Sequence, residues 1–138
     1  MKLLSLAVSV FSLVLSAQAA EQRIECPARY PAEDIPLRET GDWDTGLVPA
    51  DIPLEGGGMF TGPLVRRAEL RGSERRIRGG YITNFGFNRD QDPPEKWFVC
   101  HYGHVQLARR IADTTTACEL THKERKFPKE SDVRLICR

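Results

Sequence analysis

Four cysteines, Cys26, Cys100, Cys118 and Cys137, constrain this chain more than any other feature. None stands in a C-x-x-C pair, which argues against a thioredoxin-type redox site or a zinc ribbon. An even count in an exported chain reads as two disulfides. A small domain gains from such staples because its core is modest. The favoured pairing is Cys26–Cys137 with Cys100–Cys118, which ties the two ends together and closes the longest loop. It has a geometric difficulty. In a simple meander, Cys100 and Cys118 would sit two strands apart, about 9–10 Å, whereas a disulfide needs Cα atoms within about 7 Å. The alternative is Cys118–Cys137 with Cys26–Cys100.

Export is read from the N-terminus. Met1-Lys2 gives a positive start, Leu3 to Leu15 is apolar apart from Ser5, Ser9 and Ser12, and Ala17-Gln18-Ala19 is a small-x-small cleavage pattern. This is the pattern of a secretory signal peptide over residues 1–19. The run falls short of the roughly 20 apolar residues that span a bilayer. The expectation is a periplasmic or secreted chain, without a membrane span, with residues 20–138 forming one disulfide-bonded β-rich domain. The full chain carries a formal net charge of +1, and Lys2 is the only charge in residues 1–19. The remainder is balanced, so nothing in the net charge draws it toward nucleic acid or anionic lipid.

The chain then divides into unlike halves. Residues 27–57 are broken by Pro27, Pro31, Pro36, Pro49 and Pro53 and by Gly41, Gly46, Gly56 and Gly57. They read as an irregular wrap anchored by Tyr30, Ile35, Leu37, Trp43, Leu47 and Ile52. The wrap is acidic, with Glu33, Asp34, Glu39, Asp42, Asp44, Asp51 and Glu55 against Arg38 alone. Beyond Gly58 the pattern turns strand-like. Tyr81, Thr83, Phe85 and Phe87 alternate, Trp97 to Tyr102 is rich in strand formers, and Val105, Leu107, Arg109 and Ile111 share one parity. So do Cys118, Leu120 and His122, and then Val133, Leu135 and Cys137. The fold class predicted is mainly β, a small antiparallel sheet or meander stapled by disulfides. Residues 64–71 fit a short helix as well as a strand.

The candidate binding residues are Arg66, Arg67, Arg71, Arg75, Arg76 and Arg78, with Glu69 and Glu74 the acids among them. Arginine forms bidentate pairs with carboxylate, phosphate and sulfate. The cluster reads as a solvated hairpin, as a set paired within the chain to the acidic segment 33–55, or as a patch for an acidic partner or a polyanion; Trp43 is a further candidate contact.

His101, His104 and His122 are candidate metal ligands, since neutral imidazole is the commonest side-chain ligand. Their spacing is not H-E-x-x-H, and Lys123 and Arg125 beside His122 disfavour a second cation, so they read as exposed polar histidines. No G-x-S-x-G is present, and Gly56-Gly57-Gly58 lacks the lysine of a P-loop. The sequence therefore points to no catalytic residue, metal or cofactor. The aromatics Tyr81, Phe85, Phe87, Trp97, Phe98 and Tyr102 read as packing, with an exposed sheet face carrying Trp97 and Val99 as the alternative.

Ile24-Glu25-Cys26-Pro27, Phe60-Thr61-Gly62-Pro63, the W-x-x-C-x-Y block Trp97 to Tyr102 and the ending Ile136-Cys137-Arg138 together resemble an uncharacterised family of short exported proteobacterial proteins. The resemblance implies a periplasmic protein with paired cysteines. It brings no activity and no site residues. The expectation is a non-enzymatic binding protein in the style of a periplasmic inhibitor or immunity protein. The alternatives are a metal-binding protein or enzyme using the three histidines, and a polyanion binder through the arginines.

Overall fold

The structure, a computed structural model, describes residues 21–37, 41–42, 50–62, 68–88, 90–92, 95–126 and 129–138. The signal peptide expected over residues 1–19, and Trp43, Leu47, Arg66 and Arg67, lie outside the described residues. The elements are β1 (Gln22–Glu25), β2 (Arg29–Tyr30), a 3-10 turn (Ala32–Asp34), β3 (Ile52–Pro53), β4 (Gly56–Thr61) and β5 (Ala68–Glu69). They continue with β6 (Ser73–Ile77), β7 (Gly80–Gly86), β8 (Lys96–Tyr102), β9 (Val105–Ile111), β10 (Ala117–Arg125) and β11 (Glu130–Cys137). The mainly β class holds. Ala68–Glu69 is strand, so the helical alternative fails for that part of 64–71.

The strands form two main antiparallel sheets rather than one meander. One has five strands in the order β1-β11-β10-β7-β6, the other four in the order β5-β4-β8-β9, and β2 pairs with β3 separately. The reason lies in β7. It turns back on β6 and then pairs with β10, so the β8–β9 hairpin between them belongs to the other sheet.

Strand alternation builds the shared core. Cys118 and Leu120 on β10, Val133, Leu135 and Cys137 on β11, Phe85 on β7 and Ile24 on β1 face Met59, Phe98, Cys100, Tyr102 and Ile111 of the second sheet. Each large side chain so buried contributes about 1.5–3 kcal/mol relative to exposure. The N-terminal wrap is anchored here too. Tyr102 is fully buried and donates its hydroxyl to the Pro27 carbonyl at 2.6 Å, and its ring meets Tyr30 at 5.9 Å. Burial pushes the Tyr102 phenol up to about 12. Leu37, expected as an anchor, is exposed.

The disulfides are Cys26–Cys100 and Cys118–Cys137. The favoured pairing, Cys26–Cys137 with Cys100–Cys118, is therefore wrong and the alternative correct. Register decides this, not loop length. Cys118 and Cys137 lie directly opposite on neighbouring strands with Cα atoms 4.1 Å apart. Cys100 belongs to the other sheet, where Cys26, just past β1, reaches across to it over 5.8 Å between Cα atoms.

Next to this bridge the sheets approach so closely that only glycine fits. A Cβ on Gly57 would meet the Val99 carbonyl oxygen at 2.9 Å and Val133 Cγ1 at 3.0 Å, with Cys26 Sγ at 3.6 Å. Gly57→Ala is expected to lower the unfolding free energy by about 1–3 kcal/mol in urea. By loop-closure entropy, Cys26→Ala/Cys100→Ala should cost about 4 kcal/mol for its 74-residue separation. Cys118→Ala/Cys137→Ala should cost about 3 kcal/mol for 19 residues. Urea unfolding of both double variants checks the order, and the reverse order would contradict it.

Candidate partner-binding surface

The hairpin β6–β7 carries most of the described arginines of the cluster. Its turn, Arg78-Gly79, needs a left-handed residue, and Gly79 supplies it with φ of 76°. Along β6 the side chains of Ser73, Glu74, Arg75 and Arg76 are all exposed and Ile77 is half-buried. Arg75 and Arg76 thus lie on opposite faces of β6, the last strand of the five-stranded sheet, with Arg71 just before it and Arg78 in the turn just after it.

The backbone of that edge can be assigned from the ladder. Ala117 and Arg138 exchange both N–H···O bonds, at 3.3 and 2.9 Å, so Ala117 turns its polar groups toward β11. Alternation then points Cys118, Leu120 and His122 toward β7, in agreement with the bond from the Phe87 N–H to the Thr116 carbonyl at 2.8 Å. Carried through the register, Ser73, Arg75 and Ile77 bond to β7, and Glu74 and Arg76 direct their N–H and C=O groups away from the sheet.

The arginines on this edge are electrostatically unmatched. Among the described residues, no carboxylate forms an ion pair with Arg71, Arg75, Arg76 or Arg78. Pairing with the acidic wrap, expected as one way to neutralise them, is absent for its described members Glu33, Asp34, Asp42, Asp51 and Glu55. Elsewhere the pattern is the opposite. Arg23, Arg29, Arg110, Arg125, Arg134 and Arg138 each lie within ion-pair distance of a carboxylate, and Arg109 is the other described arginine that does not.

The three histidines are dispersed. His104 is exposed at the β8–β9 turn, where Gly103 takes a positive φ of 58°. His101 is half-buried, with Nδ1 hydrogen-bonded to the Gln106 amide at 3.0 Å and its ring edge-on to Phe60. His122 is not the exposed residue expected: it is 5% exposed. It shares a strand face with Cys118 and Leu120, and that parity outweighs its charged neighbours. Its Nδ1 is hydrogen-bonded to the Tyr81 hydroxyl at 2.6 Å. Its Nε2 is buried without a hydrogen-bond partner among the described residues, 3.9 Å from Glu124. No group of three or more His, Cys, Asp or Glu residues among those described is arranged to hold a metal. The aromatic face is closed as well. Val99 is 0% exposed and the Trp97 indole Nε1 is enclosed, so this face is no open platform.

Burial lowers the His122 pKa, against the smaller opposing effects of Glu124 and Asp132. Burial also raises that of Tyr81, helped by Glu74, Glu124 and Glu69. The folded chain therefore resists protonating His122, while the unfolded chain takes up that proton near pH 6.5. The stability contributed by neutral His122 is full above about pH 6.5 and is lost as pH falls below it. An NMR titration of the His122 ring should show a midpoint under about 6.5. His122→Gln should flatten the fall in stability between about pH 7 and 5. A ring titrating at or above the usual value would contradict this.

No curated protein and no solved structure matches the chain. A family model does, over residues 49–138. That span takes in both strands of the arginine hairpin and three of the four cysteines. With 90 of 138 residues matched, the chain belongs to the Type VI secretion system Tli immunity protein family.

Proposed function

We propose that the chain neutralises a type VI effector toxin by binding it directly, outside the cytoplasm, without catalysis of its own. Family membership supplies the immunity role, and the unmatched arginine edge carries the assignment of the surface. Guanidinium groups without a carboxylate partner, set along and beside one exposed edge strand, repel one another. Carboxylates from a partner relieve that repulsion and receive bidentate hydrogen bonds. Arg71, Arg75, Arg76 and Arg78 are the contacts. Arg66, Arg67 and Trp43, which lie outside the described residues, are further candidate contacts by residue type.

The compartment follows from the same chemistry. Two disulfides persist only where thiols are oxidised, so the mature protein works in the periplasm after residues 1–19 are removed. Balanced net charge over the mature chain favours a partner that reads the local edge over a polyanion that reads the whole surface.

The test is co-expression, in an oxidising periplasm, with the toxin encoded beside this gene. A stoichiometric complex and survival of the toxin-producing cells are expected. Arg75→Glu/Arg76→Glu should weaken the complex by at least about tenfold and abolish protection, while Arg110→Glu, on the far sheet, should not. Failure to form a complex, or full protection by the double variant, would overturn the assignment.

A further inference from the structure

The free backbone of β6 points to how the partner binds. We infer that the toxin contributes an extended segment bearing carboxylates, which adds to β6 as a further antiparallel strand. This inference rests on the immunity role proposed above and specifies its mode.

Three observations support it together. First, β6 ends the five-stranded sheet, and the N–H and C=O groups of Glu74 and Arg76 point away from it. An added strand would satisfy them by main-chain hydrogen bonds, the basis of strand-addition recognition. Second, the side chains of Ser73 to Arg76 are all exposed, so the edge is uncovered. Third, the two faces of the edge differ. On the outer face, Arg75 sits between Ser73 and Ile77, so a partner residue there meets a guanidinium. On the inner face, the edge borders a groove of about 280 Å³ whose lining includes Met59, Phe85 and Leu120, with Arg71 and Glu74 beside them. Glu74 and Arg76 share that parity, so partner side chains there meet an apolar surface with a carboxylate at one position and a guanidinium at the next. A strand that sets acids opposite Arg75 and Arg76 and an apolar side chain opposite Glu74 satisfies both faces.

Substitutions at Glu74 separate strand addition from simple charge attraction. Glu74→Gln removes a negative charge and keeps the N–H, so it should leave binding to the co-expressed toxin unchanged or tighter. Glu74→Pro removes the same charge together with the outward N–H, which bonds nothing in the free sheet. It should weaken binding by at least about tenfold. Circular dichroism and thermal melting establish that the proline variant is folded. Hydrogen exchange on the unmodified chain gives an independent readout. The Glu74 and Arg76 amides should exchange freely alone and slow by more than about tenfold in the complex.

If Glu74→Pro binds as well as Glu74→Gln, or if these amides exchange equally fast in the complex, strand addition is wrong. Should Arg75→Glu/Arg76→Glu still abolish binding in that case, the immunity surface stands without it. If the unmodified chain forms no complex with the toxin, both readings fall.

Discussion

The link between Cys26 and Cys100 holds the two sheets at the distance on which the rest of the structure depends. Beside it, β4 passes so close to β8 and β11 that its second residue, Gly57, has no room for a side chain. A strand with three successive glycines is weak in isolation, because each loses more backbone entropy on folding than other residues and offers no side chain to pack. Here β4 is held by pairing with β8 over its whole length, and the adjacent cross-link limits how far the sheets can separate. The second bridge acts differently. Cys118–Cys137 locks neighbouring strands that register already pairs, so it fixes alignment within one sheet.

This division leaves the β6–β7 hairpin free for another task. Neither disulfide touches it, and β6 contributes no residue to the core. It is nonetheless well placed, because β7 pairs with β10 and carries Phe85 into the core and Tyr81 to His122. One strand of the hairpin is structural and the other presents charge. Most of the remaining arginines are matched at short range by carboxylates, which makes the unmatched group on β6 a local property rather than a feature of the whole surface.

Much of the fold was legible wherever one strand face is buried and the other wet. The alternations of β10 and β11 named the inward residues Leu120 and Leu135, and that of β9 named Ile111, though Arg109 of the same parity is exposed. Strand β6 was not legible. Its sequence, Ser-Glu-Arg-Arg-Ile, shows no apolar alternation because an edge strand exposed on both faces needs none. Disulfide pairing was misread because loop entropy rewards the longest closure, whereas oxidation joins the thiols that folding has already brought together. The sequence held the signal for His122 in its parity with Cys118 and Leu120, but the adjacent Lys123 pointed the other way. Nothing in the triplet Gly56-Gly57-Gly58 announced a close approach between sheets, since that constraint exists only in three dimensions.

An open sheet edge endangers a protein that must remain soluble, because identical edges can pair with one another. The charge on β6 changes the balance between partners. Two copies paired antiparallel edge to edge and centred on Arg75 or on Arg76 would set that arginine against its own copy, and like charges placed opposite each other on a sheet are destabilising. A strand bearing carboxylates meets attraction at those positions and the same unsatisfied backbone. The arginines therefore act twice, against self-association and for an acidic partner, and specificity arises from the difference between the two. Arginine serves this better than lysine, since its planar fork holds a carboxylate in a fixed geometry and is less strongly hydrated than an ammonium group. An edge that must reject copies of itself yet accept one foreign strand has to be charged, uncovered and unpaired within its own chain, and among the described strands β6 combines all three.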